Sequence, residues 1–246
     1  MFRVFTSFCV LFLSLLGNLS AKKIGLLIVA TGQYDQFVDP LIESARQHFL
    51  NGHEVTYFVF TDGTRVSRAK DVVSVLHKKL GWPFDTMMRN EVYCKNKKIL
   101  EDQDYLFALD ADMRFVDAVG DEILGERVAT LHPGFIDGKR GTYETNSKSK
   151  AYVSKKEGKL YFAGGFFGGS KKEFFKIINQ TTSNIHDDLS QGIIAIWHDE
   201  SHWNRYCIDH PPTVVLNPSY CYPESWELDF PKKLLALDKN HDKIRK

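Results

Sequence analysis

The sequence predicts an α/β protein with an open sheet, and three observations support this fold class. Residues 24–30 form a continuous apolar run, which is typical of a central strand buried on both faces. An amphipathic stretch and a second apolar run follow it, which gives a strand, helix and strand unit. A later apolar run, residues 105–109, leads directly into the triplet Asp110-Ala111-Asp112. Because open α/β sheets bind ligands at the carboxyl ends of their strands, this triplet lies at the expected functional edge.

The first elements follow from hydrophobic spacing. Residues 24–30 predict the first strand, which ends before the turn-forming Gly32. Residues 38–49 predict a helix, because their apolar side chains recur at helical spacing. The second strand covers residues 54–61 and ends at Asp62-Gly63, a pair that favours a turn.

The later elements are assigned in the same way. Residues 71–77 predict a third strand, and residues 84–100 predict a helix that leads into the strand at 105–109. From residue 138 to residue 158 the chain is polar and rich in Lys, Ser and Gly. This composition predicts a loop or an ordered excursion over the site.

Length and composition exclude several classes of protein. The chain has 246 residues, which is enough for one large domain with a sizeable core. Its 32 Lys and Arg residues balance 31 Asp and Glu residues, so the net charge is +1 and nucleic acid is not an expected partner. A hydrophobic fraction of 43% excludes a disordered or collagen-like chain.

The N-terminus has the pattern of a targeting segment. Met1-Phe2-Arg3 precedes an apolar run from Val4 to Leu16, and small residues follow up to Ala21. About 13 apolar residues are too few for a bilayer-spanning helix, which needs roughly 20. Residues 1–21 therefore predict a cleaved signal peptide or a short signal-anchor that associates with a membrane, with a buried helix as the third alternative. Residues 22–246 then form one domain with a basic C-terminal tail.

The four cysteines, Cys9, Cys94, Cys207 and Cys221, are too few and too irregularly spaced for a disulfide scaffold or a zinc site of the CxxC kind. We expect buried or free thiols. Cys207 and Cys221 are the one pair that we consider as a bridge in an exported protein.

Asp110 and Asp112 are candidate metal ligands. Two carboxylates separated by one residue at a strand end can direct oxygens onto one divalent cation, which offsets their mutual repulsion. Mg²⁺ and Mn²⁺ prefer such oxygen ligands and leave coordination positions for a nucleotide diphosphate. A solvated surface turn is the competing interpretation of the triplet.

Residues 197–202, WHDESH, are dense in groups that can act as acid, base, nucleophile or ligand. His198 and His202 have the i, i+4 spacing of a zinc-binding helix, but that motif requires Glu after the first His, and Asp199 stands there. The alternative interpretation is a helix start that Asp199 caps, with the aromatic residues in the core.

Two further segments leave alternatives open. Residues 161–170, YFAGGFFGGS, contain glycine pairs that let a backbone approach a flat ligand, although a tight turn or bulge explains them equally well. This block is neither a P-loop nor a dinucleotide fingerprint. The basic tail, residues 239–246, is either solvated or folded over bound phosphates.

Three blocks of the sequence resemble the signature blocks of glycosyltransferase family 6, the family of the histo-blood-group ABO transferases, α1,3-galactosyltransferase and Forssman synthase. They are FALDADMRFVDAVGDEILGERVATLHPGF, YFAGGFFGGS and IWHDESHWNRYCIDHPPTVVLNPSYC, in family order and at near-family spacing. The resemblance extends from about Lys23 to Arg245. It implies a GT-A glycosyltransferase fold, in which a Rossmann-like nucleotide-binding half merges with an acceptor-binding half.

The resemblance also implies an activity. The family transfers N-acetylgalactosamine or galactose from a UDP-sugar to the 3-hydroxyl of a terminal galactose, with retention of anomeric configuration. The acceptor would be a galactose-terminated oligosaccharide, glycolipid or glycoprotein. Asp110 and Asp112 would bind Mn²⁺ or another divalent cation that grips the diphosphate. Many bacterial members carry Asn at both positions and need no metal, so the acidic pair of this chain predicts metal dependence.

The resemblance extends to residues around the nucleotide. Val29, Ala30 and Tyr34 match the segment that cradles the uridine, although Val29 stands where the family usually has Phe. Arg89 matches an arginine that helps to orient the donor sugar.

Two more groups of donor residues are implied in the same way. Ala163, Gly164 and Gly165 match the stretch that selects the donor sugar, and Gly165 leaves room beside the C2 substituent, which favours N-acetylgalactosamine. Lys239 and Arg245 match basic tail residues that close over the diphosphate.

On the acceptor side, His132 and Trp197 match acceptor contacts, and Asp199 matches a contact to the donor sugar. Glu200 matches the catalytic glutamate, which also borders the acceptor. A retaining reaction needs a carboxylate on the sugar face opposite the departing UDP, either to form a covalent intermediate or to stabilise positive charge.

Two features depart from the family pattern. Pro223, with Glu224 beside it, replaces an acidic acceptor contact, so acceptor specificity does not carry over. The first strand also follows the N-terminal apolar run without the long stem of Golgi members. The expected location is the secretory pathway, Golgi-membrane-associated or exported, or the envelope of a bacterium. The alternative to an enzyme is a catalytically silent carbohydrate-binding protein on the same fold.

Overall fold

The structure is a computed structural model that describes residues 20–63, 66–136 and 138–244. Its strands, in chain order, are β1 (Lys23–Val29), β2 (Glu54–Thr61), β3 (Val72–Leu76), β4 (Tyr105–Asp110), β5 (Met113–Phe115), β6 (Val128–Leu131), β7 (Phe162–Ser170), β8 (Val214–Leu216), β9 (Tyr222–Pro223) and β10 (Leu234–Ala236). Its α-helices are α1 (Val38–His48), α2 (Phe84–Met87), α3 (Arg89–Lys95), α4 (Lys97–Leu100), α5 (Lys171–Ser190), α6 (His198–Asp209) and α7 (His241–Ile244). Short 3₁₀ helices cover Gly32–Phe37, Asp121–Ile123, Pro133–Phe135 and Pro218–Tyr220.

A seven-stranded sheet organises the molecule, with the strand order β3-β2-β1-β4-β7-β6-β8. The four strands from β3 to β4 are parallel, and β7 runs antiparallel to both of its neighbours. A small second sheet has the order β5-β10-β9. This mixed α/β architecture with a large, mostly parallel central sheet confirms the predicted fold class and agrees with a GT-A fold.

Helices cover both faces of the sheet, so β1 is apolar from Ile24 to Val29. Ile24, Leu26 and Ile28 pack into the same cluster as the apolar side of α1. Leu27 points into a second cluster, which includes Phe174 from α5 and Trp203 from α6. Side chains of a strand alternate between its two faces, so the two clusters lie on opposite faces of one sheet.

The predicted elements up to residue 77 agree with the structure. The strands expected at 24–30, 54–61 and 71–77 correspond to β1, β2 and β3, and the helix expected at 38–49 corresponds to α1. The strand predicted at 105–109 is β4, and Asp110 is its last residue.

The single helix predicted at 84–100 is wrong in detail, because this segment forms three short helices. The backbone leaves the α-helical region at Met88 and again at Asn96, with φ/ψ of −94°/7° and −111°/16°. The Asn96 side-chain amide donates to the carbonyl of Val92 at 2.8 Å, a local bond that competes with helix continuation. The break at Met88 lets α3 begin at Arg89, whose side chain belongs to the site described below.

β7 contains the glycine block, and its glycines serve close packing. A Cβ atom at Gly168 would lie 2.3 Å from the carbonyl oxygen of Leu106 in β4, which no side chain tolerates. The register between β7 and β6 shifts between Ala129 and Thr130, which pair with Phe167 and Ala163. The bulge interpretation of the block is therefore confirmed for its first glycine pair.

The structure describes only part of the N- and C-terminal segments for which predictions were made. Residues 1–19 of the predicted signal peptide or signal-anchor (1–21) lie outside the described residues, as does Arg245 of the tail. None of the helices in the described part combines the length and apolar character that a bilayer crossing needs. Cys207 and Cys221 are both free thiols, so the bridge considered from the sequence is not formed.

Candidate active site

A cavity of about 210 Å³ opens where β1 and β4 end. Its walls include six of the residues expected on the donor side, namely Val29, Tyr34, Arg89, Asp110, Asp112 and Lys239. Ala30 is fully buried behind this wall, and its amide donates to the carbonyl of Phe60 at 2.9 Å. The cavity therefore lies at the sheet edge that the sequence indicated.

Arg89 joins four segments of the chain at the inner end of this cavity. Its Nη1 donates to Asp110 Oδ1 at 2.6 Å, its Nη2 donates to the carbonyl of Gly164 at 2.6 Å, and its Nε lies 2.6 Å from Asp199 Oδ2. The guanidinium also lies 5.3 Å from the ring centre of Phe167. One buried cation thus holds α3, β4, β7 and α6 together.

The charges of this group compensate one another only in part. Burial alone would lower the pKa of Arg89, but Asp199 and Asp110 raise it above its ordinary value. Burial raises the pKa of Asp199 to about 6, although Arg89 opposes the shift. Two carboxylates share a single guanidinium, so the inner end of the cavity retains negative character.

Glu200 follows Asp199 on α6 and has its own set of donors. Gly164 N donates to Oε2 and the Tyr161 hydroxyl donates to Oε1, both at 2.8 Å. Burial raises the pKa of Glu200 to about 7, and these two hydrogen bonds oppose that shift. The side chain is a fixed carboxylate that titrates close to neutral pH, which is the property of a group that takes part in acid, base or charge-stabilising chemistry.

Aromatic rings surround Tyr161, whose hydroxyl donates to Glu200. His132, Phe135 and Tyr143 all make ring contacts with Tyr161, at centroid distances of 5.7, 4.9 and 5.0 Å. Burial lowers the pKa of His132 to about 4, so its imidazole is neutral near pH 7, and its Nδ1 accepts from Gly134 N at 3.0 Å. Tyr143 belongs to residues 138–158. We name these residues the acceptor-side segment, because Tyr143 contacts Tyr161 as does His132, an acceptor contact expected from the sequence.

Gly164 and Gly165 allow these groups to converge. A Cβ atom at Gly164 would lie 3.0 Å from Arg89 Nη2 and 3.4 Å from Glu200. At Gly165 it would lie 3.3 Å from Asp110 Oδ2. Ala163, the third residue expected to select the donor sugar, is buried. The glycine pair is therefore a packing requirement of the charged network as well as a boundary of the site.

The C-terminal tail lies against the cavity, which argues against the solvated interpretation for its described part. The Lys239 ammonium forms an ion pair with the buried carboxylate of Asp112. Two residues earlier, Leu237 N donates to the carbonyl of Asp112 at 2.9 Å. Ile244 of α7 is buried and borders a small pocket beside Tyr34.

The start of α6 differs from the capped helix considered from the sequence. Trp197 occupies the N-cap position and is about half exposed, whereas Asp199 makes no cap and is committed to Arg89. His198 packs edge-on against Trp82, with ring centres 4.9 Å apart. Across residues 20–63, 66–136 and 138–244, no three His, Cys, Asp or Glu side chains converge as a metal site of that size would require.

Two site residues escaped the sequence reasoning. Tyr161 stands at the start of the glycine block, but its bond to Glu200 spans 39 residues and no local pattern signals it. Trp82 lines the cavity and is about half exposed. Its only signal in the sequence is its place directly before a proline.

The sequence is similar to known proteins over most of its length. The sequence profile of glycosyltransferase family 6 matches residues 13–246. Histo-blood group ABO system transferase 1 of Rattus norvegicus is 40% identical over 244 residues, which cover 93% of this chain and 70% of the relative. Globoside alpha-1,3-N-acetylgalactosaminyltransferase 1 of Gallus gallus is 35% identical over 240 residues, covering 90% and 69%. Alpha-1,3-galactosyltransferase 2 of Homo sapiens is 30% identical over 216 residues, covering 81% and 62%.

Replacement of Arg89 by alanine should destabilise the fold strongly. It leaves Asp199 buried without its counter-charge, and removal of one partner of a buried pair costs about 3 kcal/mol or more. The free energy of unfolding, measured by urea denaturation, should fall by that amount. Arg46→Ala is the matched control, because Arg46 pairs with Asp71 at the surface and should change stability by less than about 1 kcal/mol. Equal stability of the two variants would contradict the central role of Arg89.

Proposed function

The chain belongs to glycosyltransferase family 6, and on this premise we propose that it transfers N-acetylgalactosamine or galactose from a UDP-sugar to the 3-hydroxyl of a galactose-terminated glycan, with retention of configuration. Family membership makes it a hexosyltransferase that uses UDP-sugars. The observation that carries the proposal is the position of Glu200. The Gly164 amide and the Tyr161 hydroxyl both donate to this carboxylate, and the Gly164 carbonyl accepts from Arg89 at the cavity wall. Glu200 therefore connects the cavity to the buried aromatic cluster around Tyr161.

The residues of the cavity fit a divalent cation. Asp110 Oδ1 is bound by Arg89, and about half of the Asp110 side chain remains exposed at the cavity. Asp112 already holds a cationic group, the ammonium of Lys239. We therefore assign Asp110 and Asp112 as ligands of Mn²⁺ or another divalent cation. When bound, such an ion neutralises negative charge on the diphosphate.

The donor nucleotide would lie along the ends of β1 and β4. Val29 and Tyr34 line the cavity there and would contact the uridine, with Ala30 supporting the backbone behind them. Lys239, already at the cavity wall, would exchange part of its contact with Asp112 for the diphosphate, and we assign the same role to Arg245. Cations at this place stabilise the departing UDP.

The donor sugar would lie between Arg89 and the start of β7. Ala163, Gly164 and Gly165 are its neighbours on β7, and the absence of a side chain at Gly165 favours the larger N-acetyl substituent. Arg89 and Asp199 would act on the sugar through a fixed network, because the two side chains are already paired with each other at 2.6 Å.

The reaction would use Glu200 as the carboxylate that faces the anomeric carbon. As the bond from the sugar to UDP breaks, the bonding electron pair leaves with UDP and positive charge develops on the sugar. The ionised Glu200 stabilises that charge, and the Tyr161 hydroxyl and Gly164 amide keep the carboxylate oriented. The acceptor 3-hydroxyl, guided by His132 and Trp197 at the acceptor side, then bonds to the anomeric carbon, and its proton passes to the departing UDP.

A purely carbohydrate-binding role is disfavoured. Asp110, Asp112 and Glu200 are all present. Asp110 and Asp112 line the cavity, and Arg89 and Gly164 link Glu200 to Asp110. The similar proteins are named as transferases of N-acetylgalactosamine or galactose. We further propose that residues 1–21 direct the enzyme into the secretory pathway as a signal peptide or membrane anchor, or to the envelope in a bacterium.

UDP release assays test the proposed function directly. We expect release from UDP-N-acetylgalactosamine or UDP-galactose, stimulated by galactose-terminated acceptors and dependent on Mn²⁺. UDP-glucose is the donor control, and EDTA should abolish the reaction because Asp110 and Asp112 then lack their cation. Unchanged transfer in EDTA would disprove the metal assignment. UDP binding without turnover of any donor would favour the carbohydrate-binding alternative.

Substitution of the catalytic carboxylate should separate chemistry from binding. Glu200→Gln keeps the shape of the side chain but removes its charge, so kcat should fall by about two orders of magnitude or more while the Kd for UDP stays within about twofold. Asp209→Asn, on the exposed end of the same helix, is the control and should leave kcat unchanged. Near-full kcat in Glu200→Gln would remove Glu200 from the mechanism.

The pH dependence should report the environment of Glu200. Activity needs the ionised form, so kcat/KM should fall as pH drops through about 7. Tyr161→Phe removes a hydrogen bond that lowers this pKa, and the acidic limb should therefore move to higher pH. Tyr143→Phe is the control, since the Tyr143 hydroxyl donates to the carbonyl of Leu160 and not to Glu200. Coincident limbs in the two variants would contradict the assignment.

A further inference from the structure

A cluster of buried polar side chains joins the acceptor-side segment to α5 and α6. Ser149 and Glu144 belong to the segment, Asp188 to α5 and His202 to α6. All four are more than nine-tenths buried. The reaction described above uses none of them, although His202 lies in the same sequence block as Glu200.

Asp188 is the centre of this cluster. It accepts from the Ser149 hydroxyl at 2.5 Å and from the Lys150 amide at 2.7 Å, and its Oδ2 lies 3.6 Å from His202 Nε2. Glu144 makes a parallel connection, because its Oε2 accepts from the Ile196 amide just before α6 at 2.8 Å. Side-chain carboxylates therefore fasten the segment at two places.

These contacts matter because the segment has little secondary structure of its own. Between residues 138 and 158 the chain forms no helix or strand ladder, and its backbone hydrogen bonds are those of turns and of an isolated bridge between Glu144 and Tyr152. A chain without a helix or strand ladder depends on side-chain contacts to hold it against the rest of the fold. Asp188 and Glu144 supply two of these contacts, and a 3.3 Å bond from Arg205 to the carbonyl of Tyr152 supplies a third.

The cluster also relates the segment to the reacting carboxylate. His202 is two residues after Glu200 on one rigid helix. Tyr143 of the segment packs on Tyr161, and the Tyr161 hydroxyl bonds to Glu200. The segment thus contacts Tyr161 through Tyr143, and it is joined to Ile196, just before α6, through Glu144 and to α5 through Asp188.

The state of His202 is defined by its surroundings. Burial lowers the pKa of His202 below its ordinary value, against the opposing effects of Asp188 and Glu144, the charged groups that face it from α5 and from the segment. The imidazole is then neutral near pH 7, with Nε2 directed at Asp188 and Nδ1 without a partner among the described residues. A buried polar atom without a partner lowers stability, so packing alone does not account for a histidine here.

We propose that His202 and Asp188 are positioning residues that hold the acceptor-side segment against α6 and thereby set the affinity for the acceptor glycan. The proposal rests on the proposed transferase function. Donor handling is largely independent of this cluster, because Arg89, Asp110 and Lys239 secure the cavity by separate contacts. The effect of the cluster is therefore on acceptor KM more than on donor binding.

The test compares His202→Ala with His202→Gln. The alanine variant should raise acceptor KM at least tenfold while the Kd for UDP and the rate of donor hydrolysis without acceptor stay within twofold. The glutamine variant places an amide N–H where Nε2 was and should return acceptor KM to within about threefold of the original. His186→Ala removes a surface histidine of α5 that pairs with Glu91 of α3. It is the control and should change neither acceptor KM nor the Kd for UDP.

Hydrogen exchange provides a readout that does not depend on activity. In His202→Ala and in Asp188→Asn, the amides of Lys150 and Ala151 should exchange faster, while β1 and β4 keep their protection. If the original protein transfers no sugar, the proposed function fails, and exchange still decides whether His202 holds the segment. An acceptor KM within twofold in His202→Ala, equal rises in donor and acceptor constants, or unchanged exchange would each overturn the proposal.

Discussion

The site depends on one buried guanidinium. Arg89 lies where four segments meet. Without its positive charge the buried Asp199 would have no counter-charge and would repel the half-exposed Asp110. Desolvation of an unpaired carboxylate costs several kcal/mol, so the chain can bring these acids together only around a cation. Arginine suits this place better than lysine, because its planar fork serves two carboxylates and the carbonyl of Gly164 at once.

The geometry of β7 follows from the same requirement. The guanidinium of Arg89 on α3 and the carboxylates of Asp110 on β4 and Glu200 on α6 approach this strand, and side chains at Gly164 and Gly165 would crowd them. β7 is also the strand at which the parallel half of the sheet gives way to antiparallel pairing. The change of direction brings the start of β7, next to Tyr161, to the edge where β1 and β4 end. The antiparallel direction of β7 therefore places Gly164 where it can bond both Arg89 and Glu200.

Local patterns predicted the fold better than they predicted the site. The buried strand β1, the amphipathic α1 and the acidic end of β4 are readable because hydrophobic spacing reports nearby structure. Resemblance to a family added Glu200 and Lys239. The bonds that define their environment join residues far apart in sequence, such as Tyr161 to Glu200, so they depend on how the chain folds as a whole. The interruptions at Met88 and Asn96 escaped for a similar reason, since helical spacing across residues 84–100 continues through them.

The ion pair between Lys239 and Asp112 makes the tail part of the folded protein when no ligand is bound. The tail supplies a counter-charge to an acid that is almost completely buried, so it belongs to the folded state even before any nucleotide arrives. A chain shortened ahead of Lys239 would begin from a reference state of higher free energy, with Asp112 uncompensated. Because an affinity compares bound and free states, shortening acts on both sides of the equilibrium. Under the proposed role of the tail, the loss of nucleotide affinity measured for the shortened chain would then be smaller than the contribution of the tail to the bound complex.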